Sequence, residues 1–86
     1  MGEQRVGTVT HYYTHLHVAA ITLDKGDLKV GDTIHVKGHT SDFIQMVDSL
    51  QIEHDSVAEA KKGTSVGIKL KEHGREHDEV YKVVED

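Results

Sequence analysis

The chain reads as an all-β domain. Short runs alternate polar and apolar residues, glycine-centred turns separate them, and there is neither proline nor a long helical period. Closing such a sheet removes the exposed edges that invite aggregation, so the expected architecture is a small closed barrel of six strands, with an open β-sandwich as the alternative. At 86 residues the chain is expected to form one domain over residues 1–86.

The first strand is expected over Arg5–Thr10, with Val6, Thr8 and Thr10 on one face and Gly7, Val9 and His11 on the other. A glycine inside a strand points to a bulge or a close backbone approach. Leu16–Leu23 is the second strand, and its later half is apolar on both faces, as in a strand covered on both sides. Asp24–Asp27 turns on Gly26, and Leu28–Gly31 leads into a third strand, Thr33–Lys37. Gly31 precedes Asp32 where the chain must turn sharply, a place suited to a positive φ. Gly38 closes that strand and opens a loop to Asp42.

Phe43–Ile52 is the longest regular run. Phe43, Gln45 and Val47 share one parity, and a bulge near Asp48-Ser49 would reset it before Leu50 and Ile52. Glu53–Gly63 has helical flavour, with Asp55 or Ser56 as a cap, Glu59 three residues after Ser56, and Gly63 as the stop. Ser65–Leu70 and Glu79–Val84 complete the six strands, separated by a charged loop around Gly74.

Composition narrows the function classes. With 36 % hydrophobic and 29 % charged residues, the chain has the balance of a folded, soluble domain rather than a disordered one. Cysteine is absent, which removes disulfides and thiolate metal sites and agrees with an expected cytoplasmic location. No apolar run approaches the roughly 20 residues of a membrane helix, and Met1–Arg5 shows no charged-then-apolar leader pattern. Met1-Gly2 lacks the Ser or Thr of a myristoylation motif at position 6, which is Val6. A formal net charge of −5 weighs against non-specific nucleic-acid binding. There is no cysteine nucleophile and no G-x-S-x-G turn, so the expectation is a non-enzyme.

Two stretches carry a family resemblance. Leu28-x-x-Gly31-Asp32-x-Ile34-x-Val36-x-Gly38, and then Ala60-Lys61-Lys62-Gly63-Thr64-Ser65-Val66-Gly67-Ile68-Lys69-Leu70, resemble signatures of the second domain of translational GTPases such as elongation factor Tu. Arg5–Val9 resembles that family's first strand, and Asp78–Tyr81 its last, so the likeness covers about Arg5 to Val83. It implies a six-stranded Greek-key barrel that packs on a neighbouring domain or touches tRNA or ribosomal RNA. A free-standing barrel of this type looks like the small translation elongation factor-like proteins. The chain is also similar to the barrel at the C-terminus of collagenase-like U32 peptidases. No G-x-x-x-x-G-K-[ST] loop is present, so nucleotide hydrolysis is not expected. Gly31, Asp32, Gly38, Gly63 and Gly67 are expected to be structural turn residues.

The candidate contact residues fall into three groups. Tyr12 and Tyr13 sit in a loop, where aromatic rings stack on bases or cover the open end of a barrel. Lys61, Lys62 and Arg75 could reach phosphates, although Glu59, Glu72, Glu76 and Asp78 interleave with them. His11, His15 and His17 cluster at the first hairpin, with His11 and His17 placed to face each other. They are candidates for zinc or exposed polar residues. No cofactor is expected. The functional expectation is a non-catalytic binding module. Its partner is RNA, tRNA or the ribosome in the first reading and a protein in the second, with histidine-bound metal as a third.

Overall fold

A computed structural model of the protein describes residues 2–84. These form ten strands: β1 Gly2–Tyr13, β2 Val18–Thr22, β3 Leu28–Lys29, β4 Thr33–Lys37, β5 Asp42–Met46, β6 Leu50–Ile52, β7 Asp55–Val57, β8 Glu59–Ala60, β9 Ser65–Lys69 and β10 Glu79–Val84. The all-β expectation holds, and among the described residues no helix is long and apolar enough to cross a membrane. Eight strands make one antiparallel sheet in the order β5-β4-β10-β1-β2-β9-β6-β7, and β3 pairs with β8. The ladder runs open from β5 to β7, so strand pairing does not close the expected six-stranded barrel. Instead one face of this sheet wraps a single core, which includes Val9, Ile21, Ile34, Phe43, Leu50, Ile68 and Val80.

β1 has to serve both β10 and β2, and it bends to do so. Its register shifts between Arg5 and Gly7 and again between Val9 and His11. The first bulge puts Val6 and Val9 on the same side, both fully buried, although they are an odd three positions apart. This corrects the simple alternation expected of Arg5–Thr10. Gly7 stands where a Cβ would run into the Thr22 carbonyl, so it provides both the bulge and the close approach.

The Gly31-Asp32 turn forms as the sequence requires. Asp32 N–H donates to Lys29 O at 3.1 Å, and Gly31, at φ 97°, takes the position of a type II turn that needs a positive φ. The Asp32 carboxylate accepts the Lys29 N–H at 3.0 Å. Val30 N–H donates to Ala58 O, and Gly31 N–H to Val47 O, so the turn is clasped from both sides. Gly63 has φ 96°, and its N–H donates to Leu23 O. Gly38 abuts the buried Asp78 carboxylate, which leaves no room for a Cβ.

Two elements depart from expectation. Phe43–Ile52 is broken at 47–49 into β5 and β6, because Val47 returns to the Gly31-Asp32 turn: its N–H donates to Asp32 O at 2.8 Å. Glu53–Gly63 is not helical. Glu53 and His54 form the two-residue turn of the β6–β7 hairpin, and Glu59-Ala60 pairs with Leu28-Lys29. Ladder hydrogen bonds from neighbouring strands overrode a weak local cap-and-stop signal.

At the open end of the sheet, the side chain of Gln45 fills in for a strand. It is 6 % exposed, its Nε2 donates to Lys69 O at 3.0 Å, and its Oε1 accepts Lys71 N–H at 2.8 Å. The amide thus pairs β5 with the end of β9 as a peptide unit would. On the outer face, His35 in β4 is held between two carboxylates. Nδ1 meets Glu3 at 2.7 Å and Nε2 meets Asp42 at 2.5 Å, with the His35 side chain 13 % exposed. The hydrogen bond to Asp42 raises the His35 pKa above its ordinary 6.5, helped by Glu3 and opposed by desolvation. The same bond lowers Asp42 below its ordinary 3.8.

Two outcomes follow. Gln45→Leu leaves Lys69 O and Lys71 N–H unpaired, and should destabilise the fold by about 1–3 kcal/mol. A thermal melt that does not move would deny the amide this role. For His35 the raised folded pKa means its contribution is complete below about pH 6.5 and is lost as pH rises through the raised value. For Asp42 the lowered pKa means the contribution is complete above about pH 3.8 and is lost as pH falls through the lowered value. The stability difference between wild type and His35→Gln should therefore be largest between those limits and shrink at neutral and alkaline pH. A pH-independent difference in urea titrations would overturn it.

Candidate binding groove

The β1–β2 hairpin divides its aromatic pair. Leu16 N–H donates to Tyr13 O at 3.1 Å to close the turn, His17 takes φ 56°, and Leu70 N–H ties the turn down through His17 O at 2.8 Å. Strand alternation then sends the two tyrosines to opposite faces. Tyr12 packs against the core, with its ring 4.5 Å from that of His73 and its hydroxyl 3.5 Å from His17 Nδ1. Tyr13 is 47 % exposed, and its edge lies on the His11 ring at 4.4 Å. Of the two, Tyr13 is the ring presented to solvent.

Tyr13 and Leu16, the latter 64 % exposed, form one wall of a groove of about 340 Å³. Its floor consists of small groups in register: Ala20 of β2 lies opposite Gly67 of β9, and Gly67 in turn meets Gln51 of β6 at the edge of the floor. Val18 and Ser65 extend the floor at either end. Gly67, expected as a turn residue, lies instead within β9, where its lack of a side chain keeps the floor flat. The other wall is Gln51 with the Glu53-His54 turn. Both turn residues have positive φ, 49° and 70°, the geometry of a type I′ hairpin turn usually given to Asn-Gly. Holding two non-glycine residues there costs about 1–3 kcal/mol each and persists because the β6–β7 ladder fixes the turn. From β1 across to β6 is three strand spacings, about 14 Å.

The other candidate residues do not join this groove. Lys61 and Lys62 lie beyond the far end of β2: Lys61 Nζ pairs with Glu59 at 3.3 Å, and Lys62 N–H donates to Asp27 at 2.6 Å. Arg75 lies in the loop after β9, with its N–H donating to Asp78 at 2.9 Å beside a cleft shared with His39 and His77. The expected RNA-contacting set is therefore dispersed. His11 faces Ala20 in the register, not His17, and its Nδ1 lies 3.3 Å from Glu76. His15 is exposed in the turn. Among the described residues no three His, Cys, Asp or Glu side chains converge as a metal site.

Leu16, Val18, Ala20, Gln51, Glu53 and His54 were not singled out by the sequence. A signal was present, because the second strand reads as apolar on both faces. Ala19 and Ile21 fill the core, whereas Val18 and Ala20 face the groove.

No model of a known protein family matches the chain. An uncharacterized protease of Methanocaldococcus jannaschii is 46 % identical over 77 residues, which is 88 % of this chain and 19 % of that protein. A collagenase of Porphyromonas gingivalis is 35 % identical over 78 residues, covering 90 % of this chain and 22 % of that protein. The chain thus spans about a fifth of the length of the curated relatives it matches. Among solved structures, the C-terminal domain of a Geobacillus thermoleovorans U32 peptidase superimposes with a TM-score of 0.86 at 18 % identity, covering 94 % of this chain and 93 % of that one. Its selenomethionine variant gives 0.84, covering 90 % and 96 %. Of the two resemblances in the sequence, this fold likeness supports the one to the C-terminal domain of U32 peptidases.

Proposed function

We propose that the chain is a non-catalytic module that binds polypeptide, of the kind carried beside a protease's catalytic region. One observation carries the reading. The similarity takes in nearly all of this chain but only about a fifth of relatives named as proteases, and the matching solved structures are C-terminal domains. The open groove beside Tyr13 supports a binding role, because exposed aromatic anchors over a small-residue floor are typical of recognition surfaces. Purified chain incubated with fluorescently labelled casein and with gelatin should retain the polypeptide saturably and release no fragments. Fragment release would remove the non-catalytic part of the reading, and failure to retain either polypeptide would remove the binding part.

A second reading, RNA or ribosome association in the manner of translation-factor domain II, is favoured by Tyr13, whose exposed ring is backed by His11 and so is placed to stack on a base. With it goes the closed six-stranded Greek-key barrel, a reading that the Gln45 bridge from β5 to β9 supports. Lys61, Lys62 and Arg75 would act from separate faces, against a net charge of −5. In a gel shift with tRNA at low salt, Tyr13→Ala should weaken binding several-fold. An unchanged shift, or none with wild type, would dismiss this reading.

A further inference from the structure

The groove is polar at one end and apolar at the other, and that asymmetry specifies a ligand. The β2–β9 register runs from Val18 opposite Lys69 to Thr22 opposite Ser65. Tyr13, Leu16 and Val18 gather at the first of these levels. The pairing of Gln51 with Gly67 sends Glu53 toward the second, beside Ser65. Between them lies the Ala20–Gly67 step, where the Ala20 methyl is the only side chain of β2 and β9, flanked by Gln51 of β6. Four residues of strand separate the two levels, about 13 Å at about 3.3 Å per residue.

That distance equals the spacing of side chains i and i+4 on one face of an extended chain. Charge decides what fits. Glu53 is the one acidic group lining the groove, and no lysine or arginine lines it. His54 lines the groove beside Glu53, and Lys69 stands opposite Val18 at the apolar end, lining the adjoining depression with Asp48. A cation is therefore welcome at the Glu53 end and disfavoured at the other. Resting on the polypeptide-binding reading above, we propose that this groove binds an extended peptide segment. An aliphatic or aromatic residue sits against Tyr13 and Leu16, a small residue lies over Ala20 and Gly67, and a lysine or arginine four positions after the apolar residue pairs with Glu53. The outer face of β2 explains itself on this view. Val18 and Ala20 complete a strand that is apolar on both sides because its second side is covered by the ligand.

The test uses the isotopically labelled chain and three synthetic peptides built around Leu-Thr-Ala-Thr-Lys. One keeps that order, one has glutamate for the lysine, and one has the lysine moved one place closer. Amide shifts on titration should map to Ala20, Glu53 and Gly67. The first peptide should bind about fivefold or more tightly than the other two, the range expected when an exposed ion pair is made or reversed. Glu53→Lys should exchange the preference, favouring the glutamate peptide. Tyr13→Ser, at an exposed position, should weaken all three without changing the fold's spectrum. Equal binding of the lysine and glutamate peptides, shifts confined to another face, or no shifts at all would each overturn the proposal. If the chain still retains casein or gelatin in that event, the binding-module reading survives and only the groove assignment falls.

Discussion

An eight-stranded sheet that buries one face around one core must curl, and its two ends must then be secured without a ladder between them. Gln45 meets that constraint at the β5 end. Pleating places Phe43, Gln45 and Val47 inward, and the middle residue of the three is polar. A buried amide is costly unless both its donor and its acceptor are used. Here both are, by the backbone of Lys69 and Lys71. An apolar residue would pack equally well but would leave those two peptide groups without partners. The core, the β5 edge and the end of β9 depend on one side chain that imitates main chain.

The outer faces of the same sheet are handled in two different ways. Across β1, β4 and β10, and at Asp42 of β5, they are stitched by charge, whereas Ile44 and Met46 leave the rest of the outer face of β5 apolar and exposed. Glu3 and Asp42 bracket His35, Arg5 pairs with Glu79 at 3.3 Å, and Tyr81 donates to Glu79 at 2.9 Å. Most of the polar atoms of those side chains pair with one another, although the buried Arg5 Nε has no partner among the described residues. Across β2, β9 and β6 the outer face has almost no side chain to stitch. Ala20, Gly67 and Ser65 leave a trough, and the residues rising on either side of it are held by tight turns at Leu16-His17 and Glu53-His54. One face pairs its polar groups with one another, and the other keeps an open trough.

Much of the fold was legible because its decisive signals are local. Thr33–Lys37 alternates cleanly, and it and Glu79–Val84 are each strands over the expected residues. Gly31 announced a positive φ because the residues around it, Lys29 to Asp32, form a complete turn with its own capping carboxylate. The site was only half legible. Tyr13 stood out as an aromatic in a turn, but nothing in the adjacent pair says which ring points outward. The two bulges of β1 decide that, and bulges follow from what β10 and β2 need, not from the sequence of β1 alone. Lys61, Lys62 and Arg75 look like one basic group in a linear reading, yet the sheet places them apart.

The sequence by itself determined the all-β class, the turns at Gly31 and Gly63 and the shared parity of Phe43, Gln45 and Val47, because steric limits on φ and the two-residue period of a strand act over a few neighbours. Tertiary structure decided the rest. It drew Asp55–Val57 and Glu59–Ala60 into strands in place of a helical turn, since ladder partners in β6 and β3 offered hydrogen bonds that an isolated turn could not match. It also made the groove, since Ala20, Gly67 and Gln51 acquire a shared surface only when three strands distant in sequence are set side by side.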